Sequence, residues 1–400
     1  MDAQRDRPPD KLIRQVISLM AYTLLAGCAT VDLPNVGNQG FKLEDDEKRL
    51  YNRAQEAVEH LDNSGVIYDD PQLEAYLTRV AHDLLPEGLR DIDAQGIDIR
   101  VKVISDPDIN AFALPNGRIY FHAGMLALME NEAELATIMS HELVHVLNRH
   151  LLKEKRSTDN KATFFNATLG GIFPMAYQLG TMSTVSGFSQ QLELEADEQG
   201  FEFLMRNGYD ASEGVRIFEE IKVTIEDEKI KVPFFFSTHP AIVTRLKNYR
   251  KLIDLYSSAP AKKTNEADFQ RVTKKMFFDT LRLWMQHGRF KSVERCVDKY
   301  LGRNPASSEG FYWKGELYRQ RQDCPKGVKK RDKTKDYEEA LLAYEKAIES
   351  EPGFALAYQG RGKVLKSLNK AAEAKKAFAK YLELDPQAQD HAYIEAYLNN

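Results

Sequence analysis

The first candidates for metal-binding or catalytic residues are two histidines, His141 and His145, in the run His-Glu-Leu-Val-His. On an α-helix both imidazoles leave the same face about one turn apart, so they can bind one zinc ion. A catalytic zinc has three protein ligands and an open position for water, and a glutamate from a second helix can be the third ligand. Glu193 is the leading candidate. Glu142, between the histidines, can take a proton from the attacking water and pass it to a leaving amine.

The alternative is a pair of structural histidines in a buried core. The surrounding sequence favours a metal site, because it predicts that the motif lies well inside a helix. Asn131 can cap this helix, with Glu134 three residues further on. The apolar face continues through Leu135, Ile138, Met139 and Val146.

Several other motifs follow a definite order around this helix. They are Asn-Ala-Phe-Ala-Leu-Pro-Asn-Gly at 110–117, a short strand at 118–122, Gly-Met-Leu at 124–126, Glu-Leu-Glu-Ala-Asp at 193–197 with Gly200, and Ser-Thr-His-Pro at 237–240 with Arg245. This order resembles the zinc metallopeptidase family of HtpX and the CAAX prenyl endopeptidases, most closely its periplasmic, BepA-like branch. The resemblance covers roughly residues 70–255.

The resemblance implies a zincin-like catalytic domain of the gluzincin type, with one zinc ion per chain. Its zinc ligands would be His141, His145 and Glu193, and Glu142 would be the general base. Asp197, one helical turn after Glu193, would orient a ligand histidine.

The same resemblance places His239 and Arg245 among the catalytic groups. A neutral His239 could occupy the open position of the zinc and hold the enzyme latent, or it could donate a hydrogen bond to the developing oxyanion. A buried core histidine is the third reading. We expect latency, because an envelope protease that uses no ATP needs some restraint.

A small sheet should lie beside the zinc helix. Residues 97–103 alternate strictly between apolar and polar, which predicts a strand with one buried face, and residues 118–122 predict another. The resemblance implies that the edge strand after the Pro-Asn-Gly turn pairs with an extended substrate. The residues of that predicted substrate strand are Arg118, Ile119, Tyr120 and Phe121.

The N-terminus indicates where the protein works. A basic start with Arg5, Arg7, Lys11 and Arg14 precedes the apolar run 16–26 and then Leu-Ala-Gly-Cys at 25–28. This resembles a bacterial lipoprotein signal, so we expect cleavage before Cys28 and lipidation of that cysteine. An ordinary secretory signal is the alternative. Because Ala29 is not the aspartate of an inner-membrane retention signal, the outer membrane is favoured.

Composition excludes little. A net charge of −5 over 400 residues argues against nucleic acid as the main partner. Besides Cys28 the chain has Cys296 and Cys324, and their spacing leaves open whether they pair.

The segment 162–192 carries no charged side chain, yet it is rich in glycine and aromatic residues. A transmembrane hairpin is one reading, but glycines, prolines and polar residues interrupt every twenty-residue apolar run. A mobile apolar flap next to Glu193 is preferred, and a loop that packs into the core is the alternative.

The C-terminal part is helical and repetitive. Ala340, Tyr344, Ala347 and Pro352 recur 34 residues later as Ala374, Phe378, Tyr381 and Pro386. This spacing resembles the tetratricopeptide repeat, in which stacked helix pairs form a solenoid. A basic insertion around 326–335 reads as a solvated loop rather than a contact with lipid headgroups or an acidic partner.

The sequence therefore predicts an α+β, mainly α, protein. Its parts are a signal peptide at 1–27, a tether at 28–40, a zinc metallopeptidase domain at 41–256, a linker at 257–267 and an all-α tetratricopeptide-repeat solenoid at 268–400. The predicted function is a lipid-anchored periplasmic endopeptidase for misfolded or stalled outer-membrane proteins, whose repeats bind clients or the assembly machinery. The alternative is a noncatalytic chaperone or scaffold with a structural metal.

Overall fold

The computed structural model describes residues 33–89, 92, 96–157, 188–230, 242–256, 262–321 and 333–399. In its N-terminal part a small sheet lies among helices. The elements are α1 (Asp45–Asn63), α2 (Pro71–Leu84), β1 (Arg100–Ile104), β2 (Ala111–Ala113), β3 (Arg118–His122), α3 (Ala123–Leu126), α4 (Glu132–Leu147), α5 (His150–Ser157), α6 (Gln190–Arg206), α7 (Ser212–Glu228) and α8 (Ile242–Leu255).

The sheet has the strand order β1, β3, β2. β3 is its central strand, parallel to β1 and antiparallel to β2. The predicted strand at 97–103 begins only at Arg100, because residues 97–99 lie opposite the turn that precedes β3. There the backbone N–H of Asp98 donates to the carbonyl of Asn116 instead of a strand partner.

This topology corrects the predicted substrate strand. Residues 118–121 pair with β1 on one side. On the other side Ile119 to Phe121 pair with β2, and the carbonyl of Arg118 accepts from the N–H of Leu114. A strand whose backbone groups are already used on both sides cannot accept a peptide. Among the described residues no strand pairs with the outer edge of β2, so β2 is the available edge.

Helix α4 carries the His-Glu-Leu-Val-His motif and is buried along its whole length. The side chain of Asn131 accepts a hydrogen bond from the backbone of Glu134 at 3.0 Å, which is the predicted N-terminal cap. Such a helix is hydrophobic on most sides because neighbours surround it. Its histidines are therefore held in a rigid, water-poor environment.

Helix α6 crosses α4 at close range, and Gly200 makes this possible. A Cβ atom at Gly200 would lie 3.1 Å from Oγ of Ser140 and 3.2 Å from the backbone nitrogen of His141. A side chain here would be in tighter contact than usual, and its neighbours would have to shift by a few tenths of an ångström, so glycine favours the close approach. The approach brings the N-terminal half of α6, with Glu193 and Asp197, against the two histidines.

The C-terminal part consists of antiparallel helices. They are α9 (Glu266–Gln286), α10 (Phe290–Arg303), α11 (Ser308–Gln320), α12 (Lys333–Ser350), α13 (Ala355–Ser367), α14 (Ala371–Leu384) and α15 (His391–Asn399). The ring of Tyr344 fills the space left by Gly315 and Gly360, where a Cβ atom would come within 2.5 Å of it. This interlocking of small and aromatic residues confirms the predicted repeat solenoid.

The repeats begin inside the core of the first part. Met276, Trp284 and Val297 belong to the same apolar core as residues of α2 and α4. The indole nitrogen of Trp284 donates to the carbonyl of Pro107 at 2.9 Å. The loop between β1 and β2 is thus fastened to α9.

Some predictions concern residues outside the described ranges. These are the signal peptide with Cys28, most of the segment 162–192, His239, the pairing of Cys324, and most of the basic insertion. Cys296 is described, and its thiol is free and buried. Within the ranges that the structure covers, no helix is long and apolar enough to cross a bilayer.

Candidate metal centre

The two histidines of α4 and Glu193 of α6 point at one small volume. Nε2 of His141 and Nε2 of His145 are 3.1 Å apart. The carboxylate oxygens of Glu193 lie 3.5 Å from the first nitrogen and 3.6 Å from the second. Zinc bonds of about 2.1 Å in a tetrahedron place ligand atoms about 3.4 Å apart. The separations of 3.1–3.6 Å, in which the two nitrogens face different oxygens of Glu193, are close to that edge. The donor set therefore fits zinc in chemistry and approximately in spacing.

The electrostatics of the site also suit a cation. Burial, and then the nearby carboxylate of Glu193, raise the pKa of Glu142 well above its ordinary value. Burial likewise raises the pKa of Glu193. Two buried carboxylates are costly as charges without a positive partner, and a bound divalent ion reverses this effect on their pKa values.

Asp197 contacts the far side of His141. Its Oδ1 atom lies 3.0 Å from Nδ1 of the imidazole, so a proton on that nitrogen leaves Nε2 available to a metal. Burial alone would raise the pKa of Asp197, but the guanidinium of Arg245 and the imidazole of His141 hold it below the ordinary value. This is the position that the sequence predicted for Asp197.

Arg245 lies behind the site rather than over it. The side chain is completely buried, and its Nη2 atom donates to Oδ1 of Asp197 at 2.7 Å. The guanidinium stacks on the ring of Phe218 at 4.6 Å. The same Nη2 atom lies 2.9 Å from Nδ1 of His141. Arg245, which the resemblance placed among the catalytic groups, is thus positioned to orient His141 both directly and through Asp197.

Glu142 faces the sheet as well as the metal ligands. The backbone N–H of Ala113, the last residue of β2, hydrogen-bonds its carboxyl group. Glu142 is thus placed between the available edge strand and the two histidines. A peptide bond beside β2 would be within reach of both.

Sequence reasoning missed one residue of this centre, His150. Its imidazole is buried, and Nδ1 lies 2.9 Å from Nδ1 of His145. The signal was present as a third histidine five positions after the motif. The spacing conceals the contact, because five residues along an unbroken helix would turn the two side chains apart.

A buried helix with the His-Glu-Leu-Val-His motif, a glutamate from a second helix and an adjoining small sheet together define a metallopeptidase of the gluzincin class. Residues 71–253 match the model of peptidase family M48, and this domain belongs to that family. Residues 331–354 and 355–388 match tetratricopeptide repeats. The chain is therefore an M48 domain followed by repeats, as the sequence predicted.

Several relatives share this domain. The beta-barrel assembly-enhancing protease of Escherichia coli K12 is 28% identical over 206 residues, 48% of this chain and 41% of that protein. The metalloprotease LoiP of the same strain is 26% identical over 253 residues, 60% of this chain and 96% of LoiP. The mitochondrial metalloendopeptidase OMA1 of Arabidopsis thaliana is 31% identical over 156 residues, 38% of this chain and 31% of that protein. The chain spans about half the length of the assembly-enhancing proteases that it matches.

Proposed function

We propose that this protein is a zinc-dependent endopeptidase that hydrolyses peptide bonds in misfolded or stalled cell-envelope proteins. The observation that carries the proposal is the triangle of ligand atoms from His141, His145 and Glu193 with Glu142 beside it. Two histidines and a glutamate leave the open position that a catalytic zinc needs. A purely structural zinc site is usually closed by a fourth protein ligand.

The three metal ligands and Glu142 would have separate roles in the reaction. A zinc ion held by the three ligands would polarise the scissile carbonyl and lower the pKa of water. Glu142 would take the proton of the attacking water and deliver it to the leaving nitrogen. Burial and the neighbouring carboxylate of Glu193 raise the pKa of Glu142, which makes its carboxylate a stronger proton acceptor.

Metal dependence tests the proposal directly. The full-length protein should contain about one zinc ion per chain and cleave an unfolded protein, because the site holds one set of three ligands. A chelator should abolish cleavage, and zinc should restore it. Elemental analysis and gel-based cleavage assays measure both. Cleavage that survives complete removal of the metal would rule out this mechanism.

The substrate strand belongs at β2. Leu114 donates its N–H to Arg118, and His122 donates to Asn110, so the pairing with β3 uses residues 110 and 114. The alternation of an antiparallel ladder turns the backbone groups of Ala111 and Ala113 outward. The N–H of Ala113 is bonded to Glu142, so the N–H and carbonyl of Ala111 and the carbonyl of Ala113 are the groups offered to a substrate. An extended peptide can pair there irrespective of its side chains.

An N-methyl scan of a cleaved peptide tests this pairing. Each lost hydrogen bond contributes about 0.5–1.5 kcal/mol, so methylation at a pairing position should lower kcat/KM about 2- to 12-fold. The loss should recur at every second position, because a strand alternates its backbone groups. Methylation at the intervening positions is the control. Equal losses at all positions would exclude strand pairing.

The relatives and the repeats support a proposal about which proteins are the clients. The related protease of Escherichia coli is named for enhancing beta-barrel assembly. Stacked helical repeats present concave surfaces that bind protein segments. We infer that the repeats of this chain hold unfolded outer-membrane clients, or the machinery that assembles them, next to the catalytic domain.

The proposed location is the periplasmic face of the outer membrane, through lipidated Cys28. The Leu-Ala-Gly-Cys run at the end of the N-terminal apolar stretch supports this location. Expressed in a bacterium with an outer membrane, the protein should incorporate labelled fatty acid and fractionate with that membrane. Cys28→Ala should remove the label. A wild-type protein without label would show that the signal is an ordinary secretory one.

A further inference from the structure

The two ligand histidines are supported by different groups on their far sides. At Nδ1 of His141 lie the carboxylate of Asp197 at 3.0 Å and the guanidinium of Arg245 at 2.9 Å. The partner of His145 is instead an imidazole, since its Nδ1 lies 2.9 Å from Nδ1 of His150. Two ring nitrogens at this distance share one proton, so one donates and the other accepts.

The surroundings of His150 decide which nitrogen accepts. Its Nε2 atom faces a carboxylate oxygen of Glu195 at 3.6 Å. Asn148 holds the other oxygen of that carboxylate at 2.5 Å. A negative charge on this side favours the proton at Nε2 of His150, which leaves Nδ1 of His150 as an acceptor. His145 then carries its proton at Nδ1, and its Nε2 lone pair faces the metal position.

The backbone is bent to bring His150 to this place. Helix α4 ends at Leu147, and Arg149 adopts the left-handed conformation with φ of 58° before α5 begins at His150. Such a conformation costs energy in a residue other than glycine, so it persists only where its surroundings impose it. The reversal turns a side chain five positions after His145 back onto that histidine.

Arg149 is held firmly in this strained turn. Its guanidinium, which is buried, donates to Oε1 of Glu47 at 2.9 Å and to the carbonyl of Pro34 at 2.9 Å. It also lies over the ring of Phe41. The segment before α1 and α1 itself therefore stabilise the turn that presents His150.

We propose that His150 is a positioning residue that fixes the proton on Nδ1 of His145 and the orientation of its ring, so that Nε2 binds the metal. The inference rests on the proposed zinc site. Partners of this kind on ligand histidines contribute about 10- to 100-fold to metal affinity. A residue that only filled the core would need no acceptor at this point, and an aliphatic side chain would serve.

Two substitutions separate the acceptor from the volume. His150→Leu keeps much of the buried volume and removes the acceptor, so zinc affinity should fall about 10- to 100-fold. His150→Asn places an oxygen near the former Nδ1, so it should retain most of the affinity. Zinc affinity is measured by competition with a chromophoric chelator. Absorption of the cobalt-substituted protein reports the ligand geometry, and the spectrum should change in the leucine variant alone.

His122→Leu is the matched control for loss of a buried histidine. His122 is paired with Asp106 at 2.9 Å at the end of β3 and is not among the metal ligands. This variant should lower the melting temperature of the metal-free protein yet keep zinc affinity. The comparison separates general destabilisation from an effect on His145.

The outcomes are distinguishable. If the wild type binds zinc and His150→Leu binds it equally well, the positioning role is overturned and the zinc site stands. If His150→Asn loses as much affinity as His150→Leu, packing rather than an acceptor explains the contact, and the inference is also overturned. If the wild type binds no zinc, both the inference and the proposed function fail.

Discussion

Replacing Glu142 by glutamine should lower kcat for an unfolded protein substrate by about 10²- to 10⁴-fold, the usual contribution of a general base. Zinc content should stay at the wild-type level, because Glu142 lies beside the three ligands and is not one of them. Glutamine has nearly the same shape and keeps an oxygen that can accept the Ala113 N–H, so the fold should be preserved. Single-turnover kinetics and elemental analysis measure the two quantities.

Glu198→Gln is the matched control for this variant. Glu198 is exposed on α6, one residue after Asp197, and should change neither quantity. The scaffold alternative predicts that the wild type itself has no turnover, since a protein that only binds clients has no use for a proton acceptor there. Turnover by Glu142→Gln at the wild-type rate would show that Glu142 is not the general base.

The sequence predicted most of the fold because its signals are local. The spacing of apolar residues and the cap at Asn131 depend only on neighbours within a turn or two, and the helix at 132–147 forms where these signals placed it. The repeat offset of 34 residues is local in the same sense, because each helix pair packs on the next one. The fold class was confirmed for both parts.

What the sequence could not predict depends on contacts between distant segments. Strand β3 looks like an edge strand in sequence, yet β1 and β2 cover both its sides. The parallel pairing with β1 leaves no local mark, since the two strands are joined through β2 and its loops. The correct edge could be found only from the three-dimensional order of the strands.

The positioning residues show the same limit. Arg245 was found by a motif, but its contact with Asp197 joins positions 48 residues apart and decides its role. His150 is near in sequence and was still missed, because the left-handed turn at Arg149 reverses the chain. Helical periodicity cannot anticipate such a turn when the residue is not glycine.

The border between the peptidase and repeat parts is a further case. The segment 257–267 predicts a linker, yet Trp284 and Met276 beyond it are buried in the core that contains α2 and α4. Ion pairs such as Lys299 with Glu130 at 2.9 Å add to this interface. A movement of the first repeat would therefore displace the loop before β2, because Trp284 is hydrogen-bonded to that loop.

Replacing Glu193 by alanine should remove most of the zinc affinity. The change deletes a metal ligand, so the loss should exceed the about 10- to 100-fold that outer partners such as Asp197 contribute. Because a ligand that binds only the folded state stabilises it, zinc at 100 times its Kd should add about 2.7 kcal/mol to the free energy of unfolding of the wild type. That gain should vanish in the variant.

Thermal melts with and without zinc, together with chelator competition, measure the loss. Without zinc the variant should be no less stable than the wild type, since burial already raises the pKa of Glu193 and marks its charge as unfavourable there. Glu198→Ala on the exposed face of α6 should keep the full zinc-dependent gain. A Glu193→Ala protein with wild-type zinc affinity would mean that another group completes the site. The close packing of α6 against α4 at Gly200 would then have a role other than placing Glu193 at the metal.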